Sequence, residues 1–226
     1  MEHVLDNPAW NALVSGNKHL AYGDDEVKYF DKEVSPFAAF RENISGHFRE
    51  LHETLPHNGP ILFVAPVEVE IPAQWKVLQH VKGLQMVYNS PNTTEEVKLG
   101  LTSLTKKHVP QMLSLTKLTS PGPFAVKTID FGHYHGVFEG EELVAMAGQR
   151  LHPFNYAEVS AVCTHPAHTG KGYARQLLQF HINRIKAASE TPFLHVRHDN
   201  ERAIKVYESL GFATRIAVNF YAMVKQ

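Results

Sequence analysis

The chain has 226 residues, 43% of them apolar and 20% charged, with 22 Lys and Arg against 23 Asp and Glu and a net charge of −1. This balance excludes a disordered chain, a collagen and a coiled coil, and the missing basic excess argues against a nucleic-acid partner. No apolar run is long enough to span a membrane, the N-terminus lacks the basic start and apolar core of a signal peptide, and Cys163 is the single cysteine, so a cytoplasmic protein without internal disulfides is expected.

Along the chain, Pro36–Leu55 carries Phe37, Phe40, Ile44, Phe48 and Leu51 at spacings of three and four, which predicts one helix. Ile61–Val69 reads as a strand broken at Pro66, and Ile71–Val81 as a short helix with Pro72 in its first turn. The turn formers of Asn89–Thr94 suggest a boundary, dividing the chain into an N-terminal α/β subdomain, 1–95, and a second domain, 96–226. In the second part Val97–Leu104 suits a strand and Lys106–Leu118 a helix, followed by the rigid Thr119–Pro123 turn. Gly136–Phe138 and Leu143–Gln149 read as strands across the Glu139-Gly140 turn, and Glu158–Thr164 as another, closed by Pro166. Gly170–Ala188 is an amphipathic helix with Ala174, Leu177, Leu178, His181, Ile182 and Ile185 inward. Phe193–Arg197 is a short strand, Asn200 caps a helix that runs to Leu210 and stops at Gly211, and Ala213–Val218 with Phe220–Val224 look like a hairpin. Strands interrupted by helices imply an α+β sheet domain.

The stretch Val159–Ala174, VSAVCTHPAHTGKGYA, runs an apolar strand through a turn into a helix opened by Gly170-Lys171-Gly172. A helix start leaves unpaired N–H groups, and its dipole adds roughly half a positive charge. Together these make a diphosphate cradle that glycines let a ligand approach. The segment is neither a P-loop, because Gly172 follows Lys171, nor a Rossmann fingerprint, because position 175 is Arg.

Further on, Asn200, Ala203 and Tyr207 form Asn-x-x-Ala-x-x-x-Tyr, followed by Leu210-Gly211-Phe212. With Thr169-Gly170-Lys171-Gly172-Tyr173-Ala174 before them, and one helix and one strand between, these motifs resemble the GNAT superfamily of acyl-CoA-dependent N-acyltransferases over about residues 97–226. The resemblance implies a mixed, largely antiparallel sheet flanked by helices, here with an N-terminal α/β extension. Thr169 departs from the Arg or Gln usual at the loop's rim, and Lys171 or a nearby histidine is expected to supply the lost charge. Thr119–Phe124 (TSPGPF), Leu143–Arg150, Ala157–Pro166 and the Pro-Ala-Trp10 opening are similar to the branch that includes glycine-acyltransferase-like proteins.

The resemblance implies direct attack of an amine on an acyl-CoA thioester, with acetyl-CoA or another short acyl-CoA as co-substrate. The acceptor is expected to be an amine of a small molecule, amino acid or peptide. An alkyl amine with a pKa near ~10.4 is less than about 1% neutral at pH 7, so a base is called for. Tyr207 is the candidate acid for the leaving sulfur, its other role being a packed aromatic that contacts CoA. Glu158, eleven residues before Thr169, is the candidate base, its other role a structural carboxylate that bonds loop amides or orients His133 or His135. In an extended strand Ser160 shares a face with Glu158 and Val162, where it contacts substrate or permits close approach. Val162, Cys163 and Thr164 lie where the family's strand meets pantetheine, with the Val162 amide a partner for the thioester oxygen. A nucleophilic Cys163 is the lesser reading, because free cysteines are commonly buried small hydrophobes. The cofactor is expected between Glu158–Thr164 and Phe193–Arg197, its diphosphate on the amides of Gly170–Ala174, with Asn200, Ala203 and Tyr207 beside it. The acceptor is expected from the opposite face, near Ser120–Phe124 and the loop of His133 and His135.

Fifteen histidines are present. They titrate near pH 6.5, so solubility and activity should respond to mild acid. The pairs His133/His135, His165/His168 and His195/His198 lack the form of a metal site, and no metal is expected. The alternative to an enzyme is a non-catalytic acyl-CoA sensor or interaction protein. Residues 1–95 are open to binding substrate, mediating a homodimer or completing the core.

Overall fold

The computed structural model describes residues 3–42, 45–90 and 97–226. In chain order the elements are α1 (Pro8–Val14), β1 (Ala21–Gly23), β2 (Val27–Phe30), β3 (Ala38–Phe40), α2 (Ser45–Thr54), β4 (Ile61–Ala65), β5 (Trp75–Tyr88), β6 (Thr102–Ser103), α3 (Val109–Thr119), β7 (His135–Glu139), β8 (Glu142–Gln149), β9 (Tyr156–Thr164), α4 (Tyr173–Ala187), β10 (Thr191–Arg197), α5 (Glu201–Ser209) and β11 (Phe212–Lys225). A three-stranded sheet, β1-β2-β3, stands beside an eight-stranded sheet ordered β4-β11-β5-β10-β9-β8-β7-β6. All adjacent pairs of the large sheet are antiparallel except β9 with β10. This is the mixed, largely antiparallel sheet flanked by helices that the motifs imply.

Alternation along the strands divides the core between two faces. On one face Leu5 and Leu13 around α1 and Met112 and Leu115 of α3 pack with Tyr134, Met146, Cys163 and Phe193. On the other, Leu178, Ile182 and Ile185 of α4 pack with Val159, Leu194 and Phe212, and α5 adds Ala203, Val206 and Tyr207. The inward stripe of α4 is the one its periodicity predicts, with Leu177, Leu178, His181, Ile182 and Ile185 all buried.

Four predicted elements differ. The first half of the Pro36–Leu55 helix is strand: Phe37, Ala38, Ala39 and Phe40 are all buried, and β3 pairs with β2. Four consecutive apolar residues satisfy either period, and pairing decides between them. The Ile71–Val81 helix is instead the start of β5, which pairs with β11 along its full length, from Trp75↔Lys225 to Tyr88↔Phe212. The C-terminal hairpin is one continuous strand, β11. Asn219, the apparent turn residue, pairs within the sheet and its Oδ1 meets His80 Nε2 at 2.9 Å. The strand expected over Val97–Leu104 is reduced to the two residues of β6. The boundary within Asn89–Thr94, and the division at 95/96, reach into residues 91–96, outside the described residues. Flanking them, one sheet takes β4 and β5 from the first part and β6 to β11 from the second.

Candidate active site

The site begins where two parallel strands part. β9 and β10 are in register only over Tyr156–Glu158 and Thr191–Phe193. Beyond that point β9 pairs with β8 alone and β10 with β5 alone, leaving a wedge-shaped opening between them. At its side β9 carries a bulge: the register with β8 jumps from Gly148↔Ser160 to Met146↔Cys163, and Ala161 takes a φ of 52°. A bulge leaves one residue outside the ladder, so the backbone of Ala161 and Val162 carries an amide beyond what β8 uses. Ala161, like Cys163, joins the core on the α1/α3 face, whereas Val162 packs on the α4 face. The extra residue therefore reverses the simple alternation, and Val162 lies opposite to the face shared by Glu158 and Ser160.

At the far end of β9 the chain reaches α4 through Thr169–Gly172. Gly170 and Gly172 hold φ of 83° and 80°, in the region that favours glycine, and a Cβ at either would meet open space. The first backbone bond closing α4 runs from Gln176 N to Gly172 O, so the amides of the preceding turn face outward. Arg175 Nη1 donates to Ser209 Oγ at 2.9 Å and ties the start of α4 to the end of α5. Such a cradle fits a diphosphate. Its charge differs from expectation: Lys171 Nζ and His168 Nδ1 both reach Glu139 Oε1, at 2.6 and 3.1 Å, and the Tyr173 hydroxyl donates to the same oxygen. Lys171 first, then Tyr173 and His168, hold the Glu139 carboxyl down to about 2. The Lys171 charge expected to compensate for Thr169 is thus already offset by Glu139, and His168 is engaged by the same carboxylate. Thr169 itself turns its hydroxyl back to Pro166 O at 3.1 Å.

Glu158 is fully buried. Arg150 grips it with two bonds, Nε to Oε2 at 2.8 Å and Nη2 to Oε1 at 2.6 Å, and the Leu151 amide donates to Oε2. His195 Nδ1 meets Oε1 at 2.7 Å. The state of that imidazole follows from its other nitrogen. Gln85 Oε1 accepts from Arg215 Nε at 2.6 Å, and Gln85 Nε2 donates to Leu5 O at 2.8 Å. The amide is therefore oriented with its NH₂ toward His195 Nε2, 3.1 Å away. Nε2 accepts, and Nδ1–H donates to Glu158. Burial opposes ionisation of Glu158, but Arg150 and then His195 outweigh it and hold the carboxyl well below the usual range. A carboxylate so engaged is a weak base. It orients His195, on β10, whereas His133 and His135 lie elsewhere.

His135 packs, tilted, against Phe180 of α4 at 4.3 Å and lies 5.7 Å from His181. Burial and the Arg184 charge lower both His133 and His135. Tyr134 between them turns to the α1/α3 face, edge-on to Phe124 at 5.7 Å. The expected acceptor residues are therefore split: Phe124 stays near the Ser120–Pro123 loop, and the two histidines face α4. On the α1/α3 face a cleft of about 340 Å³ opens between that loop and the sheet, with Arg150, His195 and Arg197 at one end and Leu62 and Phe220 on its floor. Sequence reasoning did not single out Arg150, although it closes the apolar run Leu143–Gly148 and precedes Glu158 by eight residues. Gln85 and Glu139 carry no local signal, since their partners stand 110 and 32 residues away.

Asn200 caps α5, accepting from the Ala203 amide at 3.2 Å. Tyr207 packs with Val162, Val196 and Ala203 in one apolar cluster beside the parted strands, edge-on to Phe212 at 6.1 Å. Burial pushes its phenol up to about 12. Cys163 is buried, and burial lifts its thiol to about 11, far from the thiolate a nucleophile needs. Among the described residues no group of three His, Cys, Asp or Glu stands where it could hold a metal ion, and no helix is long and apolar enough to cross a membrane.

Comparison with known proteins agrees with this geometry. Residues 134–221 match the family model of FR47-like proteins. A solved structure from Novosphingobium aromaticivorans, assigned as an acetyltransferase of the GNAT family, is 35% identical, covers 100% of both chains and superposes with a TM-score of 0.92. The N-alpha-acetyltransferase RimI of Mycobacterium tuberculosis is 37% identical over 84 residues, 35% of this chain and 51% of that protein. Mycothiol acetyltransferase of Streptomyces scabiei is 31% identical over 109 residues, 47% of this chain and 35% of that protein. The matched region spans about half or less of either curated relative.

Proposed function

The chain belongs to the GNAT family of acetyltransferases, and on that premise we propose that it transfers an acetyl or other short acyl group from an acyl-CoA to a primary amine by direct attack. The observation that carries this reading is the opening between β9 and β10, which leads to the glycine cradle at the start of α4. The residues present fit the co-substrate: a pantetheine arm in the opening, with Asn200, Ala203 and Tyr207 beside it, and the diphosphate against the outward amides of Gly170–Ala174. Bound there, an acyl-CoA supplies the activated acyl carbon as a thioester. The amine nitrogen forms the new C–N bond as the C–S bond breaks. The nitrogen gives up one proton to water, and the sulfur leaves with its electron pair and takes a proton from Tyr207.

Within this reading the Val162 amide, beside the bulge, donates to the thioester oxygen as charge develops there. Tyr207, its phenol raised to about 12 by burial, remains protonated at neutral pH and holds its proton for the sulfur. Glu158 positions His195 and Arg150 and does not act as base. Ser160 permits close approach. The glycine-acyltransferase-like branch is a finer placement supported by its motifs alone.

The test is calorimetry with acetyl-CoA, longer acyl-CoAs and CoA, followed by CoA release with an amine panel. A ligand that binds only the folded state raises Tm by mass action. Binding with amine-dependent CoA release is expected. Binding without release under every amine supports the sensor instead, and no binding by any CoA species removes the proposal.

A further inference from the structure

The cleft on the α1/α3 face has a one-sided chemistry. Its polar lining consists of donors and neutral groups: Arg150, Arg197, His195, Gln79 and Ser120. No described carboxylate lines it. Glu158 lies beneath Arg150 with no exposure, and Asp199 pairs with Arg197 outside the lining. Its floor is apolar, with Leu62, Val81 and Phe220.

Arg150 is the polar group best placed to read a ligand. Its Nε and Nη2 are committed to Glu158, and its guanidinium lies 4.9 Å over the Phe37 ring, so its plane is fixed. Its Nη1 bonds to no described protein group, on a side chain that lines the cleft and keeps 11% exposure. With the arginine charge already balanced by Glu158, that free nitrogen suits a carbonyl or carboxylate oxygen. The imidazole of His195 has both nitrogens engaged, so neither it nor a carboxylate can take the amine proton.

We propose that the acceptor is an α-amine flanked by a carbonyl oxygen and an apolar side chain, with the oxygen on Arg150 Nη1 and the side chain on the Leu62–Phe220 floor. This rests on the acyl-transfer reading above. The lack of a base selects the same class. At pH 7.5 a terminal α-amine, with a pKa of ~7.7–8.0, is roughly a third neutral, whereas a lysine ε-amine near ~10.4 is neutral to about 0.1%. A cationic alkyl amine also finds no carboxylate in the cleft to recognise it. A free amino acid and the first residue of a peptide both offer the carbonyl oxygen and the side chain, but only the peptide's terminal amine has the lowered pKa. Beside its own ionised carboxylate the α-amine of a free amino acid stays protonated, so the peptide N-terminus is the favoured source.

The experiment follows CoA release from acetyl-CoA by the full chain at pH 7.5 with four acceptors: the tripeptide Leu-Gly-Gly, leucine, 3-methylbutylamine and Nα-acetyllysine amide. A kcat/KM at least tenfold higher for the tripeptide than for either alkyl amine is expected, with leucine, which offers the carboxylate oxygen but not the lowered amine pKa, below the tripeptide. Leucine used as well as the tripeptide would overturn the selection by amine pKa. Equal or faster use of the alkyl amines overturns the proposal. Arg150→Lys should reduce the preference for the tripeptide over 3-methylbutylamine about tenfold, with acetyl-CoA binding confirming the fold, and an unchanged preference counts against the proposal. Should that variant fail to fold, Val81→Glu places a carboxylate on the floor and should raise use of the lysine derivative severalfold. Unchanged selectivity there counts against the proposal. Absence of both acyl-CoA binding and CoA release overturns the underlying reading, and this inference with it.

Discussion

Two side chains, Glu158 and Tyr207, decide at the scale of residues what the site can do. Removing one partner of a buried ion pair costs about 3–5 kcal/mol, because the other charge is left without compensation. Glu158→Gln should therefore lower stability by several kcal/mol, leaving Arg150 buried and unbalanced, and Tm measures it. The folded carboxyl ionises well below the unfolded one, so its contribution is complete above about pH 4.5 and is lost as pH falls toward the folded value. The wild type should lose stability on that acid limb, and the variant should lack this part of the loss. A variant as stable as wild type, with a flattened acid limb in its pH–rate profile, would return Glu158 to the role of base. Tyr207 offers the opposite contrast. Its hydroxyl bonds to no described protein group, and its ring packs on Phe212, so Tyr207→Phe keeps the packing and removes only the proton. A general acid contributes about 10²–10⁴-fold. A fall in kcat of roughly 10²-fold with acyl-CoA affinity intact is expected, and an unchanged kcat excludes the acid.

Elements bring charges together that their own sequences do not announce. β7 ends at Glu139, which reaches across to Lys171 and His168 at the start of α4. Glu139→Gln frees the Lys171 cation beside the cradle and should tighten acyl-CoA binding about threefold to tenfold at low salt, an effect that fades as ionic strength rises. Weaker or unchanged affinity by calorimetry would mean that the Glu139 cluster does not touch the diphosphate. α4 carries the other case. His181 is fully buried, and neither ring nitrogen has a hydrogen-bond partner among the described residues; Arg184, His135 and His133 lie near it. Burial first, then Arg184, pushes its pKa down to about 3. The unfolded imidazole takes a proton near pH 6.5 and the folded one does not, so stability falls as pH drops from about 6.5 toward 3. Between pH 6.5 and 5 this group alone removes roughly 2 kcal/mol. His181→Leu should raise stability at pH 7 by about 1–2 kcal/mol and flatten that slope in denaturant titrations; an unchanged slope would assign the loss to other histidines. What was legible in the sequence follows the same line. The stripe of α4, the Asn200 cap and the glycine cradle are set by residues within one or two turns of each other. The strand character of β5 and the continuity of β11 depend on their pairing with each other, 130 residues apart at Gln85 and Arg215, and local periodicity cannot show it. The site divides likewise: Glu158 and Tyr207 stand out in their motifs, whereas the Arg150–Glu158–His195–Gln85 chain exists only after the sheet has closed.

For the whole molecule, the question is whether the part that carries the motifs can stand without the first 96 residues. The family model begins at residue 134, and the motif resemblance covers about residues 97–226. The sheet argues against independence. β5 lies between β10 and β11, bonded to Phe193–Arg197 on one side and along all of β11 on the other. Gln85 of β5 sets the His195 tautomer, and Met86 is buried beneath α4 and α5. Leu5 and Leu13 fill the face opposite α4 together with Met112 and Phe193. Deleting residues 1–96 opens two strand edges at the centre of the sheet and strips one face of its cover, and exposed edges and apolar patches of that size favour aggregation. The fragment 97–226 should therefore show no cooperative thermal transition and no acyl-CoA binding. Co-expression with 1–96 should restore both, because the missing strand is supplied by pairing and needs no covalent link. A fragment that melts cooperatively and binds acetyl-CoA alone would make the N-terminal part an addition to a self-sufficient domain, and would place the control of His195 outside the requirements for binding.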